Sequence, residues 1–202
     1  MLVSADMQTQ KEKSFTLSLG TFMTLWYAVL LAFSMVMYCF NVTASQYHLI
    51  VSMFISALSF RLLFPETTPK RLTAILLASA AILCAWVLVS IGIWDTSWDG
   101  QACQLEGYLA IANGWNPIKE VNKLDMCGPF VNEIYTKGTW INSAAIYKLA
   151  GYFEAGKAWN GFMLTASFLI VFSFVSGLLN VSRFRLAICS LLVSLCPVVC
   201  AQ

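Results

Sequence analysis

Four apolar runs, each long enough to cross a bilayer, constrain this chain more than any other feature in it. A spanning helix needs about 20 mostly apolar residues at 1.5 Å rise each. The runs at Phe15 to Phe40, Tyr47 to Phe64, Leu72 to Trp94 and Ala155 to Leu179 meet that requirement. In hydrocarbon every backbone N–H and C=O must be satisfied within the protein, so each run is predicted to be a helix. Composition points the same way, with 59% hydrophobic and 11% charged residues against about 25% charged in soluble domains. The expected fold class is all-α, a multi-span integral membrane helical bundle. A fifth apolar run begins near Phe184 and is still apolar at Gln202, the pattern expected of an N-terminal fragment of a longer multi-span protein.

The first run follows Lys11 and Lys13 and precedes the small residues of "VTAS" at Val42 to Ser45. It is too long for a signal peptide, whose apolar region is about 7 to 15 residues, and is read as an uncleaved anchor. Orientation follows from the basic residues, which short cytoplasmic loops retain. Lys11 and Lys13 precede the first run, Arg61, Lys70 and Arg71 join the second to the third, and Arg183 and Arg185 join the fourth to the fifth. Those places share one side, which makes the N-terminus cytoplasmic. The net charge of +2 is too small an excess to suggest nucleic acid as a partner.

Three regions follow: residues 1–94 with three transmembrane helices, a loop at 95–154, and residues 155–202 with a fourth helix and the start of a fifth. The loop contains seven acidic residues and four lysines and is expected to be extracytoplasmic. Within it, "GTWINSAAIYKLAGY" from Gly138 to Tyr152 is apolar but too short to span. A crossing there would also put Arg183 and Arg185 outside. A membrane-surface or re-entrant helix is the reading that keeps parity.

The loop opens with "DTSWDGQACQLEGYLAIANGWNP", Asp95 to Pro117. Trp94 and Trp98 suit the aromatic belt where the third span leaves the bilayer. Leu105, Tyr108, Leu109 and Ala112 recur at the spacing of one helical face, which predicts an amphipathic interfacial helix from near Asp99 to Asn113 and Gly114, before Pro117 prevents continuation. Asp99, Cys103 and Glu106 would line another face near its start. Two readings stand for Asp99: an N-cap accepting backbone hydrogen bonds, or a carboxylate presented above the membrane. Trp98 and Trp115 read as interfacial anchors or as platforms for a sugar ring, and "YTKGTW" with Tyr135, Lys137 and Trp140 as an ordinary turn or part of a site.

"SWDGQACQLEGYLAIANGWNP" resembles the first large extracytoplasmic loop of the GT-C superfamily glycosyltransferases, polytopic membrane enzymes that use polyprenyl-phosphate-linked sugars. In many bacterial members an Asp shortly after a span leads into an amphipathic helix and a "G-W-N-P" stop. "YTKGTWINSAAIYKLAGYFEAGKAWN" is similar to a second stretch of that group, and together the likeness covers about 65 residues, Asp95 to Asn160. The aromatic-His pair of the pattern is replaced here by Cys103 and Gln104, and its Pro by Thr136. The resemblance implies an inverting transfer with Asp99 as the general base, from a polyprenyl-phosphate sugar donor to a lipid, glycan or protein acceptor, in the inner membrane of a bacterium. Asp95, Trp98, Gln104, Glu106, Trp115, Asn116, Tyr135 and Lys137 are the candidate substrate contacts, Lys137 for phosphate. A divalent cation is compatible with the family, and no metal ligands are assigned.

Other chemistries have little material. His48 is the only histidine and starts an apolar run, which leaves nothing for a zinc site or a Ser-His-Asp triad. No P-loop or dinucleotide glycine fingerprint occurs. Five of the seven cysteines lie in apolar runs and read as small hydrophobes; Cys103 and Cys127 alone share the loop. The rival readings are a non-enzymatic multi-span protein, such as a transporter or assembly subunit, and a polymerase or ligase of lipid-linked glycans. The orientation is tested with single cysteines in a cysteine-free background. Lys119→Cys should react with a membrane-impermeant maleimide in intact cells while Lys70→Cys is protected, and the reverse pattern overturns the assignment.

Overall fold

The computed structural model describes residues 2–94, 104–120, 137–178 and 182–195, with side chains from Phe15 onward. Every regular element among them is helical: α1 Leu2–Cys39, α2 Gln46–Leu63, α3 Pro69–Ile91, α4 Glu106–Ala112, α5 Gly138–Ala150, a 3-10 segment Phe153–Lys157, α6 Ala158–Leu178 and α7 Arg183–Ser194. Four stretches are long and apolar enough to cross a membrane: Phe15–Cys39, Gln46–Leu63, Pro69–Ile91 and Phe153–Leu178. The protein is a membrane-type helical bundle.

Local chemistry explains where these helices begin and end. The apolar count of the third run starts at Leu72, yet α3 starts at Pro69, because Thr68 caps it by accepting from the Arg71 N–H at 3.3 Å and proline is tolerated in the first turn. At the end of α2, the Arg61 guanidinium turns back over the connection to α3 and donates to the carbonyls of Pro65 and Thr67, the latter at 2.6 Å. It satisfies carbonyls of the connection itself, which belong to no helix. Asn41, at φ 61°, reverses the chain between α1 and α2.

The spans meet around Trp26. Its ring lies edge-on to Trp159 and Phe162 at 5.9 and 5.7 Å, and its indole N–H donates to the Ser52 hydroxyl at 3.2 Å. Phe22 meets Phe60 at 5.7 Å in the same manner. Such aromatic pairs add about 0.5–1.5 kcal/mol each beyond the area they bury. Lipid tails compete on equal terms for apolar surface, so close backbone approach and interhelical hydrogen bonds hold spans together. A Cβ on Gly20 of α1 would lie 2.9 Å from the Ala166 carbonyl oxygen of α6, and one on Gly161 would lie 2.2 Å from the Trp86 ring of α3. The Trp86 indole then donates to Thr165 at 2.9 Å, Arg71 to Ser18 at 3.0 Å, and Ser34 pairs with His48 Nδ1 at 3.2 Å.

The short helix α5 is where the chain departs from a simple bundle. Its 13 residues extend about 20 Å, less than the roughly 30 Å hydrocarbon core. Trp140 to Ile146 are all buried, a run that no helix lying flat on a membrane with one apolar face would show. Asn142 Nδ2 donates to the Tyr27 carbonyl at 3.2 Å, and Trp159 donates to the Asn142 carbonyl at 2.7 Å. Tyr27 lies midway along the Phe15–Cys39 span. α5 packs into the bundle and reaches the middle of α1. On α7, Leu186, Ser190 and Ser194 are buried on one side, and Phe184, Leu191 and Leu192 are exposed.

The Gly161 contact has a direct consequence. Gly161→Val pushes two methyl groups into the Trp86 ring, an overpacking that costs about 1–3 kcal/mol and should lower the thermal unfolding midpoint of the detergent-solubilised protein by several degrees. Gly177→Val lies on the same helix with nothing near its added Cβ and should leave the midpoint unchanged. Equal shifts for the two would contradict the packing.

Candidate functional site

One end of the bundle gathers the polar residues. There α1 and α3 finish, α2 begins, and α4 and α5 pack against them. Asn116 is its fastener. Its Nδ2 donates to the Tyr38 carbonyl at 2.8 Å and to Asn41 Oδ1 at 3.3 Å, and its own Oδ1 accepts from the N–H groups of Ile118 and Lys119 at 3.1 and 3.3 Å. The side chain is 4% exposed, so the residue works inward, tying the loop after α4 to the end of α1. The signal for this role was local: an Asn before Pro117 closes an Asx turn.

Gln104 is held in a similar way. Its Oε1 accepts from the Trp140 indole at 2.7 Å, and the Trp140 ring covers Gly107, where a Cβ would come within 2.5 Å of it. That contact sets the rotation of α4. The periodicity predicted a buried face of Leu105, Tyr108, Leu109 and Ala112; the buried residues are Gly107, Tyr108, Ile111 and Ala112. The helix stops where its residues require it to, with Gly114 at φ 104° and the Trp115 N–H returning to the Ala110 carbonyl at 2.9 Å. Glu106 stands in the first turn of α4. Trp115 is buried, and the Lys137 ammonium lies 5.6 Å from its ring centre, a cation–π contact of about 0.5–2 kcal/mol. Asp95, Trp98, Asp99 and Tyr135, with Cys103 and Cys127, lie outside the described residues.

The sequence reading passed over the 3-10 segment. Glu154, counted there as the last acid of the loop, is buried and forms an ion pair with Lys157. Lys157 also donates to the Ile93 carbonyl at 3.2 Å, just past the end of α3. Tyr108 of α4 donates to the Phe153 carbonyl, and Ser143 of α5 donates to the Gly156 carbonyl at 2.9 Å. Three elements thus converge on five residues.

Beside this segment a cleft of about 610 Å³ opens between α3 and α6, with Tyr27 of α1 and Thr139 of α5 on its inner side. Trp86, Val89, Ile93, Trp159, Met163 and Leu164 supply the apolar part of its lining, and Ser90, Lys157, Asn160 and Ser167 the polar part. Among the described residues, none of the substrate contacts proposed from sequence lines it. The stretch "EAGKAWN" contains Lys157, Trp159 and Asn160, so three of the lining residues lie within the motif without being singled out. Trp86 and Met163 had no signal, because an apolar residue in an apolar run looks the same whether it faces lipid, protein or a cleft. Comparison with protein-family models, curated proteins and solved structures returns no match.

Proposed function

We propose that this chain belongs to a membrane glycosyltransferase that moves a sugar from a polyprenyl-phosphate-linked donor to a lipid, glycan or protein acceptor on the extracytoplasmic side. The observation that carries the reading is the cleft. At about 610 Å³ it falls within the roughly 300–1,000 Å³ typical of ligand sites, and its lining, from the last turns of α3 and the first turns of α6, is mostly apolar with Lys157 and Asn160 where α6 begins. A substrate with a hydrocarbon chain and a charged, hydroxyl-rich head has that same division. Such a donor enters sideways from the lipid with its chain between α3 and α6, and its anomeric carbon comes to lie near the end of α3.

The segment that leaves α3 contains Asp99, and the chemistry needs a carboxylate at that depth. The acceptor hydroxyl oxygen attacks the anomeric carbon from the face opposite the phosphate. Its proton passes to the Asp99 carboxylate as the new glycosidic bond forms, and the old carbon–oxygen bond breaks with its electron pair leaving on polyprenyl phosphate. The configuration inverts. Asp95, Trp98, Glu106 and Tyr135 are the proposed contacts to the sugar and acceptor, with Lys137 toward the phosphate. Gln104, Trp115 and Asn116 shape the site from behind, since their polar or aromatic groups are engaged in holding α4 and its loop in place.

Asp99→Asn decides the assignment. Asn is also a good N-cap, so a capping role predicts near-normal activity, whereas removal of a general base lowers the rate by about 10²- to 10⁴-fold. The full-length variant should insert and accumulate like the wild type and lose transfer from a polyprenyl-phosphate sugar. Retention of more than about a tenth of wild-type turnover would show the assignment to be wrong.

A further inference from the structure

We infer that Lys157 is a positioning residue, which with Glu154 ties the exit of α3 to the 3-10 segment and thereby sets the point from which the Asp99-bearing chain departs. The inference rests on the glycosyltransferase reading for what is positioned, and on the contacts of Lys157 for how.

The geometry of the segment explains why these two residues meet. In a 3-10 helix side chains three apart eclipse one another, and Glu154 and Lys157 stand at that spacing in Phe153–Lys157. The Glu154 side chain is 9% exposed, and a carboxylate in that position needs a cation beside it. Lys157 supplies the charge and directs a further N–H to the Ile93 carbonyl at 3.2 Å. The carbonyls at the end of a helix have no partner within it, and a cation is favoured there by the helix dipole. The ammonium therefore meets three needs together: the charge of Glu154, the free carbonyl past α3, and the negative end of α3. A lysine at the rim of a cleft otherwise reads as a phosphate ligand, but this one already has a carboxylate against it, which lowers its attraction for a second anion.

The position of the tie gives it its consequence. Ile93 lies two residues before the segment that contains Asp95 and Asp99. The same five residues hold α4 through Tyr108 and α5 through Ser143. Asp99 lies between α3 and α4 in sequence, so the elements that flank it are both held on one short support. A general base misplaced by about 1 Å can lose 10²-fold in rate with substrate binding intact.

The test uses full-length protein in lipid nanodiscs and two readouts. Nitroxide labels on Trp94→Cys and Leu149→Cys, in a cysteine-free background, report by pulsed electron resonance how firmly the exit of α3 is held. Lys157→Met should broaden that distance distribution and lower kcat by about 10- to 100-fold at unchanged donor KM, and Lys157→Arg should restore both. Glu154→Gln serves the same purpose if Lys157→Met does not accumulate. An unchanged distance distribution overturns the tie, and a raised donor KM at constant kcat overturns it in favour of a phosphate contact. If the wild-type protein transfers no sugar from any polyprenyl-phosphate donor, the functional reading fails alone, and the distance distribution decides the tie by itself.

Discussion

Backbone carbonyls that no helix can satisfy govern the structure beyond its four spans. A long helix in lipid satisfies its own backbone, but a short one that ends within the bundle exposes free groups where no water compensates them. Here side chains do so. Lys157 reaches the carbonyl of Ile93, Tyr108 that of Phe153 and Ser143 that of Gly156, while Arg61 closes the turn after α2. Without these donors the exit of α3 and the 3-10 segment would leave polar groups unmet, at a cost of about 1–3 kcal/mol each. The segment keeps its place because α4, α5 and its own lysine supply those hydrogen bonds.

This arrangement links architecture to the proposed chemistry. At Gly161 and Trp86, α6 and α3 are pressed together. The cleft opens beside that contact, with Trp86, Gly161 and Thr139 of α5 in its lining. Lys157 of the 3-10 segment and Asn160 of α6 line it, so the support that holds the loop elements also borders the place where the proposed lipid-linked head group would rest.

The spans were legible because a bilayer demands a long uninterrupted apolar run, a demand that appears directly in residue type. The stop of α4 was legible for a comparable reason, since Gly114 occupies a backbone conformation that other residues reach only with strain. What escaped was everything that depends on partners distant in sequence. Trp140 to Ile146 is buried on all sides and has no periodicity to announce it, so α5 was left between a surface helix and a re-entrant one. The face of α4 turned toward Gly107 because Trp140 needed a flat surface, a fact contained in neither segment alone. Glu154 reads as the last acid of the loop and Lys157 falls within the fourth apolar run, and only the 3-10 geometry sets one above the other. Asn116 looked like a sugar contact and acts as a fastener of the fold. The residues on which the chemistry rests, Asp99 first, come from motif likeness and from their place in the chain after α3.

The central claim is that the cleft between α3 and α6 receives the hydrocarbon chain of a lipid phosphate. Its most direct test is photocrosslinking: a polyprenyl phosphate with a diazirine in its first isoprene units, irradiated with the full-length protein in nanodiscs and mapped by mass spectrometry of the peptides. The account predicts adducts concentrated on Trp86 to Ile93 and Trp159 to Ser167, the two walls of the cleft, and their loss when unlabelled polyprenyl phosphate competes. Adducts spread over the exposed apolar faces of α2 and α7, insensitive to that competitor, would contradict it.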